Sequence, residues 1–350
     1  MHATLYRQDV VLAQPISASA QEHALRSRLF LCLDDQGIPG YGEVAPQPST
    51  LNGDPGLDEV VGATRSSLAQ LLEVVTREGT MPSWGRVSGF GAATPANNVA
   101  TELVEMALLD RELREASTTI STLWPAKFET PTQVTVSLLS DRDWLVDESV
   151  ARIRLKSAPG LISDRTLERL SRLRVPVLVD FNCSATSDMD VLALVELIRE
   201  VATISAVEQP FKAGNVIDHA RLASRLDVPI SIDEGVRSLR DLTQIENYHA
   251  AKMICVKPAR VGGLANARAL FARARELGLA AYLGGFFESP YARRVHRALA
   301  HSCVSEPSDL LDVEVQQSEY GAEVREIESG FGVEPATAML SDAERLLEFS

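Results

Sequence analysis

The sequence predicts an α/β protein: a modified (β/α) barrel with an N-terminal α+β capping domain that the C-terminal tail completes. The chain has 350 residues, which is more than one small core needs and enough for a large barrel with a second domain. From residue 132 onward, short apolar runs alternate with helical patterns, with a repeat of about 25 residues, the size of one strand–helix unit. The runs are nearly continuous in apolar character, which is typical of parallel strands covered on both faces.

The first third of the chain has a different pattern. Residues 3–14 and 26–35 are β-rich with partial alternation, and closely spaced glycines lead into a third short strand. Helical patterns follow at about 57–77 and 97–115, the second with its apolar side chains on one stripe. Strands followed by helices predict a small α+β domain.

Seven apolar runs are predicted to be barrel strands: 133–139, 151–156, 175–182, 204–210, 228–235, 252–258 and 279–285. No GxGxxG motif follows a strand and no GxxxxGK[ST] motif exists, so the barrel is favoured over an open nucleotide-binding sheet. The predicted division is a capping domain at 1–128, a barrel at 129–315 and a tail at 316–350 that packs back on the capping domain.

Composition limits the partners. Lys plus Arg is 34 and Asp plus Glu is 48, so the formal net charge is −14, which argues against binding to nucleic acid or to an anionic membrane. Four cysteines are spread singly along the chain, a pattern that fits neither a disulfide scaffold nor a zinc cluster. The N-terminus does not resemble a signal peptide, and the longest uncharged apolar stretch is too short to span a bilayer. We therefore expect a soluble, cytoplasmic protein; whether it forms a homo-oligomer is left open.

Charged residues end five consecutive predicted strands: Lys156, Asp180, Glu208, Asp233 and Lys257. The gaps between them are 24, 28, 25 and 24 residues. In a barrel these strand ends face one mouth, where active sites are built. Any one of these residues alone would ordinarily be a helix cap or a solvated side chain. The ordered set predicts three carboxylates at the centre of the mouth with a lysine on each side.

Three converging carboxylates need a counter-charge in a low-dielectric mouth. Magnesium suits them because it prefers oxygen ligands and keeps positions open for water or substrate; Mn²⁺ can substitute for it. A small carboxylate substrate would fill the open positions, and the metal would stabilise the charge that develops when the neighbouring carbon loses a proton. Lys156 and Lys257 would transfer the protons.

These segments resemble the enolase superfamily, specifically its muconate-cycloisomerase-like subgroup. The matching segments are RLK (154–156), VDFN (179–182), EQP (208–210), IDEG (232–235), VKPARVGG (256–263), GGFFES (284–289), GYGEVAP (40–46) and ATELVEMALLD (100–110). Within the subgroup, the VKPARVGG block is most similar to the branch of o-succinylbenzoate synthases and N-succinylamino-acid racemases. That superfamily uses a lysine or histidine base with magnesium to form an enediolate.

The resemblance implies roles for individual residues. Asp180, Glu208 and Asp233 would bind magnesium, while Lys156 and Lys257 would flank the substrate on opposite faces. Segments 15–25 and 44–54 would close over the mouth and set specificity. The residues expected to contact the substrate or to support these groups are Arg154, Asn182, Glu234, Arg260, Gly285, Glu288 and Ser289.

Two arginines belong to the predicted site. Arg154 stands where the family has the first lysine of a Lys-x-Lys pair. Arginine stays protonated, so Arg154 could hold a substrate carboxylate or tune Lys156 but could not act as a base. Arg260 is frequent in the branch, although a loop arginine that pairs with a nearby acid is the alternative.

The leading reaction is a dehydration of the o-succinylbenzoate synthase type, a step of menaquinone biosynthesis. Lys156 would remove the proton and then help hydroxide leave, and Lys257 would act as a cation facing the enediolate. The alternatives are an N-acylamino-acid racemase or dipeptide epimerase, with both lysines as bases, and a muconate-type cycloisomerase. A binding protein on a retained barrel is disfavoured because both lysines and all three carboxylates are present.

Overall fold

The structure, a computed structural model, describes residues 1–18, 21–90, 93–137, 144, 146, 148–312 and 323–350. Its first part contains three antiparallel strands, three α-helices and a 3-10 helix: β1 (His2–Ala18), β2 (Gln21–Asp35), β3 (Ile38–Val44), α1 (Leu57–Glu78), the 3-10 helix (Trp84–Gly89), α2 (Pro95–Glu115) and α3 (Ile120–Leu123).

Helix α2 lies between two hydrophobic cores. Val99, Leu103 and Ala107 pack into the core of the capping domain, whereas Met106 and Leu109 pack into the core of the barrel. The predicted apolar stripe is therefore divided between two partners. Strand β3 also lies against this helix, and a side chain at Gly42 would overlap the Leu103 carbonyl oxygen. A glycine is required there because the two backbones approach so closely.

The barrel strands are β4 (Thr132–Ser137), β5 (Val150–Lys156), β6 (Val177–Asp180), β7 (Ile204–Glu208), β8 (Ile230–Ile232), β9 (Met253–Val256) and β10 (Ala280–Leu283). All neighbours are parallel, in the order of the chain. The helices among and after them are α4 (Asp164–Ser171), α5 (Asp188–Arg199), α6 (Val216–Ala223), α7 (Leu239–Tyr248), α8 (Pro258–Val261), α9 (Leu264–Glu276) and α10 (Pro290–Cys303).

A short segment at Ser308 and Asp309 fills the gap between the first and last barrel strands. The Gln133 N–H donates to the Ser308 carbonyl oxygen at 2.9 Å, and the Asp309 N–H donates to the Leu283 carbonyl oxygen at 2.9 Å. The segment therefore hydrogen-bonds to both β4 and β10 and takes the eighth position around the barrel.

The tail returns to the first domain through β11 (Val324–Glu326), β12 (Val333–Pro335), α11 (Thr337–Asp342) and β13 (Glu344–Phe349). Strand β13 pairs antiparallel with β1, and Leu347 lies opposite Leu5. The predicted α/β class, with its barrel, capping sheet and returning tail, is confirmed. The boundary predicted at 128–129 falls between α3 and β4. The one at 315–316, and residues 19–20 of the first capping segment, lie outside the described residues.

In the part of the chain that the structure describes, no helix is both long and apolar enough to cross a membrane.

Candidate active site

The five charged strand ends meet at one mouth of the barrel. Lys156, Asp180 and Glu208 are in register on neighbouring strands, and Asp233 and Lys257 directly follow β8 and β9. The three carboxylate residues are fully buried. The structure thus brings these five residues together, as their spacing predicts, because the carboxyl ends of parallel strands share one edge.

The two lysines pair with different carboxylates. The Lys156 Nζ donates to Asp180 Oδ2 at 2.5 Å, and the Lys257 Nζ donates to Asp233 Oδ2 at 2.9 Å. Arg260 donates to the other oxygen of Asp233. Burial alone would raise the pKa of Asp233, but Arg260 and Lys257 outweigh it and hold that pKa well below its usual range.

Arg154 lies among all three carboxylates. Its Nε donates to Glu208 Oε2 at 3.0 Å, and its Nη2 donates to Oε1 of the same carboxylate. Its Nε is 3.1 Å from Asp180 Oδ2, and its Nη2 is 3.5 Å from Asp233 Oδ2. The Nη1 donates to Asp309 Oδ2 at 3.0 Å. Burial opposes the charge on Arg154, but Asp309 and Asp180 raise its pKa well above the ordinary value, so it is a fixed cation.

The carboxylates have the chemistry that a hard divalent cation requires. Glu208 and Asp233 have oxygens that lie, with the Cys255 sulfur, within 4.8 Å of one another. Burial raises the pKa of the Cys255 thiol to about 12, so the sulfur stays protonated and is no ligand for a hard ion. Glu208 and Asp233 therefore fit Mg²⁺ or Mn²⁺ by donor type and convergence, and Asp180 adds a third carboxylate of the same chemistry. Arg154 contacts all three carboxylates.

The loops after β6 and β7 hold these carboxylates through strained backbone. Asn182 and Gln209 have φ of 43° and 37°, and a left-handed conformation of this kind costs a non-glycine residue about 1 kcal/mol or more. Hydrogen bonds offset the strain. The Asn182 N–H donates to Asp180 Oδ1 at 2.9 Å, and Gln209 Oε1 accepts from the Asp233 and Gly235 N–H groups at 2.9 and 3.1 Å.

Glu234 lies beside this cluster. Asn182 Nδ2 donates to Glu234 Oε1 at 3.2 Å, and the buried Oε2 has no hydrogen-bond partner among the described residues. Burial, and then the neighbouring Asp233, raise the pKa of Glu234. The side chain is therefore a candidate hydrogen-bonding group at the edge of the site.

The segment after β10 turns partly away from the mouth. The Glu288 carboxylate forms an ion pair with Arg293 at 3.0 Å, and the Ser289 N–H donates to Glu43 Oε1 of the capping domain at 2.6 Å. A side chain at Gly285 would overlap the Arg293 guanidinium. These three predicted substrate-contact positions therefore join the barrel to α10 and the capping domain rather than to the five charged strand ends.

Gly284 and Phe286 are the residues of this segment that contact the site. A Cβ at Gly284 would lie 2.9 Å from Lys257 Cε, so only a glycine leaves room for that lysine. The Phe286 ring lies 4.7 Å from the Lys257 Nζ and 5.2 Å from the Arg260 guanidinium carbon. This ring forms an apolar, electron-rich wall next to both cations.

The second predicted capping segment, residues 44–54, does reach the mouth. Asp54 accepts from Arg260 Nε at 2.8 Å and from Nη2 at 2.7 Å, and from Arg237 Nη2 at 3.1 Å. The Asn52 Nδ2 donates to the Asn182 carbonyl oxygen at 3.1 Å. Arg260 therefore joins the capping loop to Asp233, which corresponds to the alternative of a loop arginine paired with nearby acids.

The family follows from comparison with known proteins. A family model described as "Enolase C-terminal domain-like" matches residues 143–337, more than half of the chain. The chain belongs to the enolase superfamily. It is 28% identical over 312 residues to the o-succinylbenzoate synthase of Bacillus subtilis (strain 168), covering 85% of this chain and 81% of that relative.

Other relatives have other activities in their names. This enolase-superfamily enzyme is 27% identical over 310 residues to an N-succinylamino acid racemase of an Amycolatopsis species, covering 85% and 81% of the two chains. Its fold matches the crystal structure of 2-chloromuconate cycloisomerase from Rhodococcus opacus 1CP with a TM-score of 0.82 at 20% identity, over 98% of each chain. That last likeness concerns the fold alone.

Several side chains of this enolase-superfamily site have no signal in the pattern of strand ends. Asp54 and Asp309 come from loops, where no periodicity indicates which acids face inward. Tyr282 could have been recognised, because it places a hydroxyl within an otherwise apolar run. Its hydroxyl donates to Glu208 Oε2 at 2.5 Å and lies 3.1 Å from the Ser231 hydroxyl.

Proposed function

We propose that this enzyme abstracts the proton next to the carboxylate of a small substrate, and that its leading reaction is a dehydration of the o-succinylbenzoate synthase type. The observation that carries the proposal is the position of the two lysines. Lys156 and Lys257 end strands that are four positions apart in a barrel of eight, with the three carboxylate strand ends between them. Two amines on opposite sides of an anion-binding mouth suit proton transfer at a carbon next to a carboxylate.

The side chains of this chain would do most of the chemistry. Asp180, Glu208 and Asp233 would hold Mg²⁺, which when bound supplies positive charge that stabilises the negative charge developing on the substrate. Lys156, as the neutral amine, takes the proton from the carbon. The resulting ammonium then gives this proton to the departing hydroxide, so that water leaves and the lysine returns to its starting state. Lys257 stays charged and faces the intermediate from the other side.

The wall beside Lys257 would exclude water from the reacting face. Phe286 covers the amine at 4.7 Å, and Asp54 holds the capping loop to Arg260. With water excluded, fixed charges interact more strongly with a developing anion.

A racemase or epimerase is the second candidate, and the same pair of lysines favours it. One lysine would remove the proton and the other would return a proton to the opposite face, which inverts the carbon. The relative from Amycolatopsis that is named N-succinylamino acid racemase supports keeping this alternative. A muconate-type cycloisomerase is a weaker third candidate.

Proton NMR in deuterium oxide with Mg²⁺ separates these reactions. Loss of water from the hydroxylated precursor of o-succinylbenzoate, without exchange in succinyl-amino acids, supports the lyase. Deuterium exchange with inversion of a succinyl-amino acid or a dipeptide supports the isomerase. If no carboxylic acid is exchanged or turned over and the protein does not bind magnesium, the proposal is wrong.

Substitution of the lysines tests their roles. We expect Lys156→Ala to abolish the dehydration, and racemisation that persists fully in Lys257→Ala would rule out a two-base mechanism. Lys252→Ala is the matched control. Lys252 directly precedes β9 and is exposed at the opposite end of the same strand from Lys257, so its removal should leave the rates unchanged.

A further inference from the structure

Arg154 uses the oxygens that the proposed metal would need. Its Nη2 contacts both Glu208 and Asp233, and its Nε contacts both Glu208 and Asp180. An Mg²⁺ ion binds oxygen at about 2.0–2.1 Å. An ion held by Glu208 and Asp233 would therefore use oxygens that Nη2 now contacts, next to a permanent positive charge.

Each of the six oxygens of the three carboxylates accepts at least one hydrogen bond or lies in an ion pair. Lys156 and the Asn182 N–H use the two oxygens of Asp180, and Lys257 and Arg260 use those of Asp233. Tyr282 donates to Glu208. Donors of this chain thus surround the three carboxylates, with the guanidinium at the centre of the cluster, and a metal ion would compete with that guanidinium for the same oxygens.

Asp309 gives the displaced guanidinium a partner. Its Oδ2 accepts from Arg154 Nη1 at 3.0 Å, and its Oδ1 accepts from Gln133 Nε2 at 2.9 Å. Asp309 belongs to the segment that closes the barrel, on the side of Arg154 away from Glu208. The ion pair with Asp309 uses Nη1, which is not one of the two nitrogens that contact the three carboxylates.

We propose that Arg154 is a built-in counter-cation that competes with the divalent metal for Asp180, Glu208 and Asp233. It lowers the affinity of the site for Mg²⁺, and Asp309 receives it when the metal binds. This inference rests on the proposed cation site and not on the identity of the substrate. A lysine carries the same charge as a compact ammonium without the planar fork, so it cannot engage both Glu208 oxygens and Asp309 in this way.

The test measures the binding of Mn²⁺ alone to the full chain. Electron paramagnetic resonance monitors the concentration of the free ion. We expect Arg154→Lys to bind Mn²⁺ about tenfold more tightly than the wild type, or more, because the ion then displaces fewer buried hydrogen bonds. Without metal, this variant should melt at a lower temperature than the wild type, and saturating Mn²⁺ should reduce the difference.

The matched control is Arg152→Lys. Arg152 is a buried arginine on the same strand that donates to Gln133 Oε1 at 2.9 Å and to the Pro307 carbonyl oxygen at 2.6 Å. Its hydrogen bonds and ion pair go to Gln133, Met253, Pro307 and Glu306 rather than to the three carboxylates. Its replacement should therefore leave Mn²⁺ affinity unchanged.

Asp309→Asn supplies a test in the opposite direction, should Arg154→Lys fail to fold. It removes the acid that receives the displaced guanidinium, so Mn²⁺ should bind more weakly than to the wild type. The proposal is overturned if Arg154→Lys binds no more tightly than the wild type, if Arg152→Lys gains as much, or if Asp309→Asn binds as tightly or more tightly. If the variants show the expected order of affinities but the protein turns over no carboxylic acid, Arg154 competes with the metal and the proposed function is wrong.

Discussion

The ion pair between Asp54 and Arg260 offers a test of how strongly the capping loop is fixed to the barrel. Both side chains are buried, and two hydrogen bonds of 2.8 and 2.7 Å join them. Breaking a buried pair by removing one partner typically costs about 3–5 kcal/mol. In Asp54→Asn, the asparagine keeps one acceptor and Arg260 keeps Asp233, so we expect a loss near the lower end, about 3 kcal/mol.

Urea denaturation of Asp54→Asn and the wild type measures this loss, and hydrogen exchange of amides 44–54 shows whether the loop opens first. The control is Asp227→Asn, which removes an Asp–Arg pair whose side chains are 72% and 44% exposed. That surface pair should contribute less than about 1 kcal/mol. A loss in Asp54→Asn no larger than in this control would show that burial does not determine the strength of the pair.

The same pair has a predictable dependence on pH. Burial alone would raise the pKa of Asp54, but Arg260 outweighs it and lowers that pKa below the ordinary value. A depressed folded-state pKa contributes stability above the unfolded-state pKa, and this contribution is lost as the pH falls through the folded-state value. The difference between the wild type and Asp54→Asn should therefore be constant near neutral pH and shrink only below the usual carboxyl range.

Three further substitutions test other contacts. Gly263→Ala should destabilise the fold by more than 1 kcal/mol, because φ is 102° and the new methyl group would overlap the Glu105 carboxylate; thermal melts that match the wild type would contradict this. Burial raises the pKa of Asp110 from 3.8 to about 6. The contribution of this side chain to the free energy of unfolding therefore falls by about 3 kcal/mol as the pH rises from about 4 to 6. Urea denaturation over this range should show that the free energy of unfolding of Asp110→Asn lacks this decrease. Tyr282→Phe should cost about 1–3 kcal/mol, since it removes the hydroxyl that donates to Glu208, and an unchanged urea midpoint would show that this hydrogen bond adds no stability.

Much of the architecture follows from the order of residues along the chain. Parallel strands in sequential order place their carboxyl ends at one edge, so the spacing from Lys156 to Lys257 predicts that the five charged residues converge. The seven apolar runs correspond to β4–β10. The GGFFES segment has no such regular spacing, and its residues have different partners: Ser289 pairs with the capping domain, whereas Phe286 covers Lys257.

The barrel, the capping domain and the set of acids and lysines at the mouth can be predicted from the sequence, because strand periodicity and spacing are local properties. The pairing of the charges depends on the tertiary structure. Asp54 meets Arg260 across 206 residues of sequence, and Asp309 meets Arg154 across 155. Loop acids have no periodicity that reveals their direction, and an arginine is long enough to reach several partners. The position of Arg154 among the carboxylates therefore depends on how the closed barrel directs its side chain.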